Sequence, residues 1–517
     1  MSKPATAAQN SKPAPLVKVR VSDFGPIAEG SVELRPLTVF VGPSNTGKTY
    51  LATLVYSLHR KLSGFTLPFE DERLHGFRYN LPQIKKELSK PDQDQILKFL
   101  HLLTERESDI KWSNLPNVLA RSLNEFLTSG NLGLEEELSR CFDLTELKQL
   151  IGASSKSHRA KISLDVQVND ENSWETEICI SPEKISTVTN IHDFTLLHSG
   201  QTDSHFFGRS FWPIRTSDEQ DGLEPELITS QQASILLEEF LFSIWQSNRQ
   251  IRKPSIHYLP AARSGIMQSH RVIASSLVSR STRAGVERFK EIPTFSGPLA
   301  DFMERLLLFK HSDKPNKKLQ RIAGSLERET LAGKITGLST IPGAYPEFVY
   351  RPTNADSHIR LSRASSMVSE LAPIVLFLRG VIGQNSTVII EEPEAHLHPA
   401  AQAQIAFTLA RMVRAGLRVV ITTHSDWLLK SISNLIREGL LVADGSSTKA
   451  SQRVFLRQSE VGVWLFRDRE TGSSVEEIGF DTSEGLEPQE YEEVEEELYN
   501  QAANLQNQIA EGESDDT

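Results

Sequence analysis

The run Leu37-Thr38-Val39-Phe40-Val41, followed at once by Gly42-Pro43-Ser44-Asn45-Thr46-Gly47-Lys48-Thr49, constrains this chain more than any other stretch. A short apolar strand empties into a glycine-framed loop, and an apolar-periodic segment with Leu51, Leu54, Val55 and Leu58 follows. That order reads as strand, phosphate loop, helix. Gly42 and Gly47 let successive backbone N–H groups close around phosphate oxygens, and the helix behind them presents its positive end. Lys48 is placed to reach the β- and γ-phosphates, and the Thr49 hydroxyl to ligate Mg2+.

Two further strand ends carry polar chemistry. Val388-Ile389-Ile390 is apolar and stops at Glu391-Glu392, which sets two carboxylates at the carboxyl edge of a sheet, where α/β folds bind ligands. Glu391 is expected to hold magnesium through water, and Glu392 to polarise an attacking water. Val419-Val420-Ile421-Thr422-Thr423 repeats the geometry and ends in His424, whose imidazole can sense a γ-phosphate by hydrogen bond. Taken singly, these are an acidic turn and a structural histidine. Beside a phosphate loop they make one nucleotide site.

Short apolar strands alternate with helices around these motifs. Ile256–Leu259, Phe348–Tyr350, Thr387–Ile390 and Arg418–Thr422 read as strands, Ser366–Arg379 and Gln402–Ala415 as helices. The expected fold is an α/β P-loop NTPase with a mostly parallel sheet covered on both faces. At the N-terminal end Val17, Val19 and Val21 share one face of a strand, with Val32 and Leu34 following a turn near Gly30. The character changes over 65–250. Helices there carry Ile96, Phe99, Leu102 and Leu103, then Leu119, Leu123 and Phe126, and a β-hairpin runs from Ile162–Val168 to Thr176–Ile180. Residues 181–226 read as loop, and a helix follows with Ile235, Leu236, Phe240, Leu241 and Ile244 on its apolar side.

The expected division is a disordered tail over 1–15, a first core segment over 16–64, and a large helical plus β-hairpin insertion over 65–250. A second core segment spans 251–480, and an acidic C-terminal helix or tail 481–517. In that last segment Tyr491, Val494, Leu498, Leu505 and Ile509 fall at helical spacing, which fits an amphipathic docking helix and a solvated tail equally.

Composition narrows the setting. The chain of 517 residues is 38% hydrophobic and 24% charged, within the ordinary globular range. A formal net charge of −11 excludes attraction of the whole surface to nucleic acid. A local basic stretch from Arg263 through Arg271, Arg280, Arg283 and Arg288 to Lys290 remains the candidate nucleic-acid contact, with a solvated helix face as the alternative. Cys141 and Cys179 have neither metal nor disulfide spacing, which fits a reducing, cytoplasmic setting. Met1–Pro15 lacks the apolar centre of a signal peptide, and Arg379 interrupts the apolar run Ala372–Ile382, so no membrane association is expected.

Three segments carry a family resemblance: Gly42–Thr49, Glu391-Glu392-Pro393-Glu394-Ala395-His396-Leu397-His398-Pro399, and Thr422-Thr423-His424-Ser425. Together they resemble the ABC-type ATPases of the SMC, RecF and OLD (overcoming lysogenization defect) group, and most of all the OLD-like AAA-family ATPases of bacteria. Val21–Ile27 is similar to the opening strand of that family. The resemblance spans about 16–64, 254–264 and 345–470 and implies ATP with Mg2+ as the ligand. It also implies a homodimer that sandwiches two ATP molecules, each completed by a signature serine of the other copy. Ala364-Ser365-Ser366-Met367-Val368-Ser369-Glu370-Leu371 is the matching segment, which makes Ser366, then Ser365, the nucleotide-contacting candidate; a plain helix cap is the alternative. The family usually has glycine where Met367 stands and aspartate where Glu391 stands. No glutamine ends the Tyr258 strand as in an ABC Q-loop, and Gln268 is the nearest substitute.

OLD nucleases carry a TOPRIM domain after the histidine strand. The residues after His424 lack a comparable acidic metal cluster, and Asp92 with Asp94 reads as surface. Any nuclease or toxin effector is therefore expected to be a separate polypeptide. The leading expectation is an ATPase whose ATP-dependent dimerisation gates such a partner in DNA metabolism or anti-phage defence. The alternatives are an SMC- or RecF-like DNA clamp, which the lack of sustained heptads disfavours, and a transporter subunit, which the long insertion disfavours.

Overall fold

The alternating valines near the N-terminus form a strand in the computed structural model, which describes residues 14–67, 87–105, 109–128, 133–197, 228–249, 254–281, 294–310, 315–338, 346–443, 454–486 and 496–506. The chain divides into two units, one of Met1–Glu33, Thr53–Ile256 and Thr294–Pro298, the other of Leu34–Ala52, His257–Pro293 and Leu299–Thr517. Numbered along the chain, the strands of the first are β1 (Leu16–Phe24), β2 (Ile27–Glu33), β4 (Ile110–Lys111), β5 (Ala160–Asn169), β6 (Asn172–Ile180), β7 (Ile185–Asp193) and β8 (Thr195–Leu197). Those of the second are β3 (Leu37–Val41), β9 (Ile256–Leu259), β10 (Gly333–Leu338), β11 (Glu347–Pro352), β12 (Ile359–Arg360), β13 (Thr387–Glu391), β14 (Arg418–Thr423), β15 (Val461–Arg467) and β16 (Ser473–Ile478).

In the first unit the strands run in the order β7-β6-β5-β1-β2, each antiparallel to the next. Val17, Val19 and Val21 point into the core, at most 3% exposed. The turn between β1 and β2 falls at Gly25-Pro26 and not near Gly30, because Asp23 and Gly25, both at φ 55, reverse the chain there. Gly30 stays inside β2, opposite Val21. The hairpin read at Ile162–Ile180 is β5 with β6, and it pairs along β1, Leu164 opposite Val19. Strand β7 occupies part of the stretch read as loop. Its buried positions are Ile185 and Thr189, and the Thr189 hydroxyl meets that of Thr176 at 3.0 Å. Threonine is β-branched and suits a strand, but it leaves no apolar alternation to read.

Helices α2 (Lys90–Glu105), α3 (Asn117–Thr128), α4 (Leu134–Phe142) and α5 (Ser230–Arg249) complete this unit; α1 (Lys48–Lys61) follows the phosphate loop. On α5 the buried stripe is Ala233, Leu236, Leu237, Phe240, Leu241 and Ile244, a helical i, i+3, i+4 pattern. Phe240 packs edge-on to Phe99 of α2 at 5.3 Å. Ile235, expected in that stripe, is 41% exposed, and Leu237 takes its place.

In the second unit the order is β16-β15-β3-β14-β13-β9. Strands β15, β3, β14 and β13 are parallel and β16 is antiparallel to β15, so the α/β reading with a mostly parallel sheet holds. All residues of β3, β13 and β14 are buried, as strands covered on both faces require. The cover comes from α6 (Arg263–Ser281), α7 (Gly297–Leu307), α8 (Lys317–Leu326), α9 (Ser366–Leu376), α10 (Pro399–Arg414) and α11 (Asp426–Ala443). Val39, Ile390, Ile421, Leu371, Val375, Ile405, Leu409, Leu428 and Ile432 share one core, each side chain contributing about 1.5–3 kcal/mol of burial.

Arg379, which interrupts the apolar run after α9, lies in a π turn and pairs with Glu327 of another π turn at 2.5 Å. That run is core helix; among the described residues no helix is long and apolar enough to cross a membrane. Residues 496–506 are helical, with Leu498, Tyr499 and Leu505 all more than half exposed, while Tyr491, Val494 and Ile509 lie outside the described residues.

Candidate functional site

Strands β3, β14 and β13 are neighbours and parallel, with Val41 opposite Thr423 and Thr422 opposite Glu391. Parallel neighbours end at one edge. The phosphate loop leaving β3, His424 leaving β14 and Glu392 leaving β13 therefore emerge side by side. Within the loop Gly42, Asn45 and Gly47 have φ of 136, 64 and 97, the alternation that turns successive amides toward one point. Position 42 admits only glycine for a second reason: a Cβ there would sit 2.3 Å from the Phe466 carbonyl of β15. The Thr46 hydroxyl ties the loop to the Pro43 carbonyl at 2.9 Å, and Leu51 N–H bonds to the Gly47 carbonyl at 2.9 Å as α1 begins.

The Lys48 amine donates to the carbonyls of Gly42 at 2.8 Å and Pro43 at 2.5 Å. Burial pushes its pKa down to about 8, against the pull of Glu392 and Glu394, so the amine stays cationic at neutral pH. Pro43, Ser44, Asn45 and Thr49 are exposed around it. Glu392 adopts φ 42 and donates its amide to the Thr422 carbonyl at 2.9 Å, which binds the β13 loop to the tip of β14. His424 completes the closure. Its Nε2 stands 3.9 Å from Glu392 Oε1, and the ring hydrogen-bonds the Gly42 backbone. Burial first, then the Lys48 charge, lowers the His424 pKa, so the imidazole is neutral at pH 7.

Glu391 is only 7% exposed and faces the end of β9. One oxygen accepts the Tyr258 hydroxyl at 2.8 Å, the other the Ala261 amide at 3.0 Å. Sequence reasoning missed both donors. In the sequence Tyr258 reads only as a strand residue, and its spacing carries no sign of a carboxylate partner.

Arg263 requires a correction. Read as the start of a basic, nucleic-acid-facing stretch, it is 0% exposed. Its guanidinium donates to the carbonyls of Glu370 at 3.2 Å, Pro260 at 3.1 Å, Glu392 at 2.8 Å and Glu391, and pairs with the Glu370 carboxylate at 2.8 Å. The fork geometry of arginine suits such a clamp, and it removes Arg263 from any surface. Arg271 and Arg280 lie on α6 with side chains outside the described set, and Arg283, Arg288 and Lys290 lie outside the described residues. Gln268 is exposed on α6.

Ser365 is the N-cap of α9, its hydroxyl accepting the Val368 amide at 3.4 Å. Ser366 is the first helical residue, and both are exposed. The described hydrogen bonds of Ser365 stay within its own helix start and do not reach the phosphate loop.

The loop suits a polyphosphate: convergent amides, a buried cation and a helix N-terminus leave an anion well matched. Among the described residues no group of three or more His, Cys, Asp or Glu side chains could hold a metal unaided. A magnesium ion here would rely mainly on phosphate and water oxygens, as that cation commonly does.

Comparison with known proteins places these features in context. The family described as AAA ATPase domain matches residues 15–429. No curated protein matches the chain. Among solved structures, the chain is similar to an SMC head bound to the C-winged helix domain of ScpA, at 10% identity over 90% of this chain and 99% of that one, TM-score 0.41. It is also similar to an SMC head with an extended coiled coil bound to the C-terminal domain of ScpA from Pyrococcus furiosus, at 11% identity over 94% and 100%, TM-score 0.38. A third is the SMC head of Thermotoga maritima, at 8% identity over 90% and 98%, TM-score 0.32.

Proposed function

The chain belongs to the AAA ATPase domain family, and from that premise we propose that it hydrolyses ATP as a dimer-forming switch which gates a separate effector. The observation that carries this reading is the convergence of three adjacent strand ends on one point, where His424 touches both the Gly42 backbone and, at 3.9 Å, Glu392. A sensor between the phosphate loop and a carboxylate is what γ-phosphate-dependent chemistry needs.

In this reading the amides of Gly42–Thr49 hold the β- and γ-phosphates, and Lys48 leaves its loop carbonyls to meet them. Thr49 and, through water, Glu391 hold magnesium, which when bound offsets phosphate charge. Glu392, 42% exposed at the site, orients and polarises the attacking water. With nucleotide bound, the neutral His424 turns its single N–H from the Gly42 backbone toward the γ-phosphate and so reports its loss. Ser366 or Ser365 of a second copy closes the site from the other side, its hydroxyl and the α9 N-terminus both suited to a γ-phosphate. The resemblance to OLD-like ATPases supports DNA metabolism or anti-phage defence as the setting, with a nuclease or toxin as the effector.

Two substitutions test this. Lys48→Ala should abolish nucleotide binding. Glu392→Gln should retain binding, lose hydrolysis by about 100-fold or more, and accumulate as an ATP-held dimer by light scattering. A Glu392→Gln protein that stays monomeric in saturating ATP and magnesium refutes the sandwich.

A further inference from the structure

The turn after β13 holds a third carboxylate that the ATPase reading leaves without a task. Glu394 is 8% exposed, close to full burial for an ionisable side chain. Its Oε1 accepts two hydrogen bonds, from the Thr423 hydroxyl at 2.5 Å and from the His424 backbone amide at 2.9 Å. Its Oε2 is buried without a hydrogen-bond partner among the described residues. A polar side chain buried with one oxygen unpartnered is costly, and a turn that only needed closing would be served by an apolar residue. The two donors it selects are the residue before His424 and His424 itself.

The surrounding bonds give that choice a direction. Thr423 Oγ1 also accepts the Ser425 amide at 3.0 Å, and the Ser425 hydroxyl bonds Gln402 Oε1 at 2.6 Å and caps α11 through the Leu428 amide at 3.1 Å. On the other side the turn carrying Glu394 is closed by Ala395 N–H to the Glu392 carbonyl at 2.9 Å and by Leu397 N–H to the Glu394 carbonyl at 3.0 Å. Glu394 is thus a side-chain link between the loop that presents Glu392 and the loop that presents His424. With the His424 and Ser425 amides both held, the backbone from which the imidazole projects is fixed.

We propose that Glu394 is a positioning residue of the nucleotide site: through Oε1 it fixes the tip of β14, so that the His424 imidazole stands between Gly42 and Glu392. It touches neither phosphate nor attacking water. It acts through His424, and the proposal therefore rests on the assignment of His424 above.

The test uses the full chain and four substitutions, with steady-state ATP hydrolysis and the affinity for the slowly hydrolysed analogue ATPγS as separate readouts. Glu394→Ala should lower kcat about tenfold or more, as misplacement of a catalytic group does, with ATPγS affinity within about twofold of the parent. Glu394→Gln keeps an acceptor oxygen for both donors and should recover most of the rate. His424→Ala should be slow, and the Glu394→Ala/His424→Ala pair should be no slower than His424→Ala alone, the non-additivity expected of residues acting as a unit. Thr423→Val, which keeps the side-chain shape and removes only the hydroxyl, gives a gentler variant should Glu394→Ala misfold; its smaller loss of kcat should likewise vanish in the His424→Ala background. Multiplicative effects in either pair, or a Glu394→Gln as slow as Glu394→Ala, overturn the proposal. Full hydrolysis by Glu394→Ala beside an impaired His424→Ala overturns it alone, whereas full hydrolysis by His424→Ala removes the assignment of His424 beneath it.

Discussion

Substituting methionine for Arg263 removes a cation from the most enclosed ion pair described in the chain, with both side chains at 0% exposure. The methionine refills most of the volume, so the cost is electrostatic. Glu370 is left as an uncompensated buried charge, a defect that typically costs about 3–5 kcal/mol. The carbonyls of Pro260, Glu391 and Glu392 also lose a donor. We expect a loss of at least about 3 kcal/mol in the urea midpoint multiplied by the slope, followed by far-UV circular dichroism. Arg263→Lys, a point charge that cannot reach four carbonyls, should fall between.

The pair Arg263→Met/Glu370→Leu should recover at least half of the loss, because removing both charges removes the desolvation defect. The pH dependence has a definite sign. Burial already raises the Glu370 pKa against the pull of Arg263. Without Arg263 it rises further above the unfolded value, so the folded form is favoured at low pH and the penalty grows as pH increases through the folded pKa. An Arg263→Met protein that loses less than about 1 kcal/mol, or a double variant with no recovery, would refute this account.

Two other expectations are independent of nucleotide. His257 is buried against Phe377, and burial, then Arg305, pushes its pKa down to about 4. The unfolded chain takes up that proton near pH 6.5, so stability should fall by about 3 kcal/mol as pH drops from 6.5 to 4. His257→Leu should flatten that limb of an acid titration, and an unchanged acid limb would count against the burial argument. The Cys141 thiol, pushed up to about 12 by burial first and Glu137 second, should resist iodoacetamide at pH 8 while the half-buried Cys179 reacts. Peptide mass mapping that finds Cys141 alkylated in the folded protein would contradict it.

Much of the second unit was legible because its strands are uninterrupted apolar runs and its polar residues sit at their ends. Leu37–Val41, Thr387–Glu391 and Arg418–Thr423 are strands for the same reason that they are readable: both faces are buried. Other features gave no such signal. Thr189 hides the buried face of β7 behind a polar side chain, which meets the Thr176 hydroxyl at 3.0 Å. Arg263 looks like surface charge in the sequence because its partners, Glu370 and the carbonyls of Glu391 and Glu392, are distant along the chain. Glu394 lies inside the Glu391–Pro399 motif, and its link to Thr423 and His424 is tertiary. Local pattern reports which face is apolar; it is silent on which buried polar group finds which partner.

The contact between the phosphate loop and β15 has a consequence in time. Arg35, leading into β3, donates to the Val461 carbonyl 426 residues further on, and β15 pairs with β3 from Leu37 to Val41. Ribosomes add about 5–20 residues per second, so β3 waits on the order of tens of seconds for both of its neighbours, β14 and then β15. Throughout that interval it has an unpaired apolar edge of the sort that invites association with other chains. The Phe466 carbonyl that crowds Gly42 is also missing until then. The segment that announces the ATP site most clearly is thus synthesised long before it is enclosed.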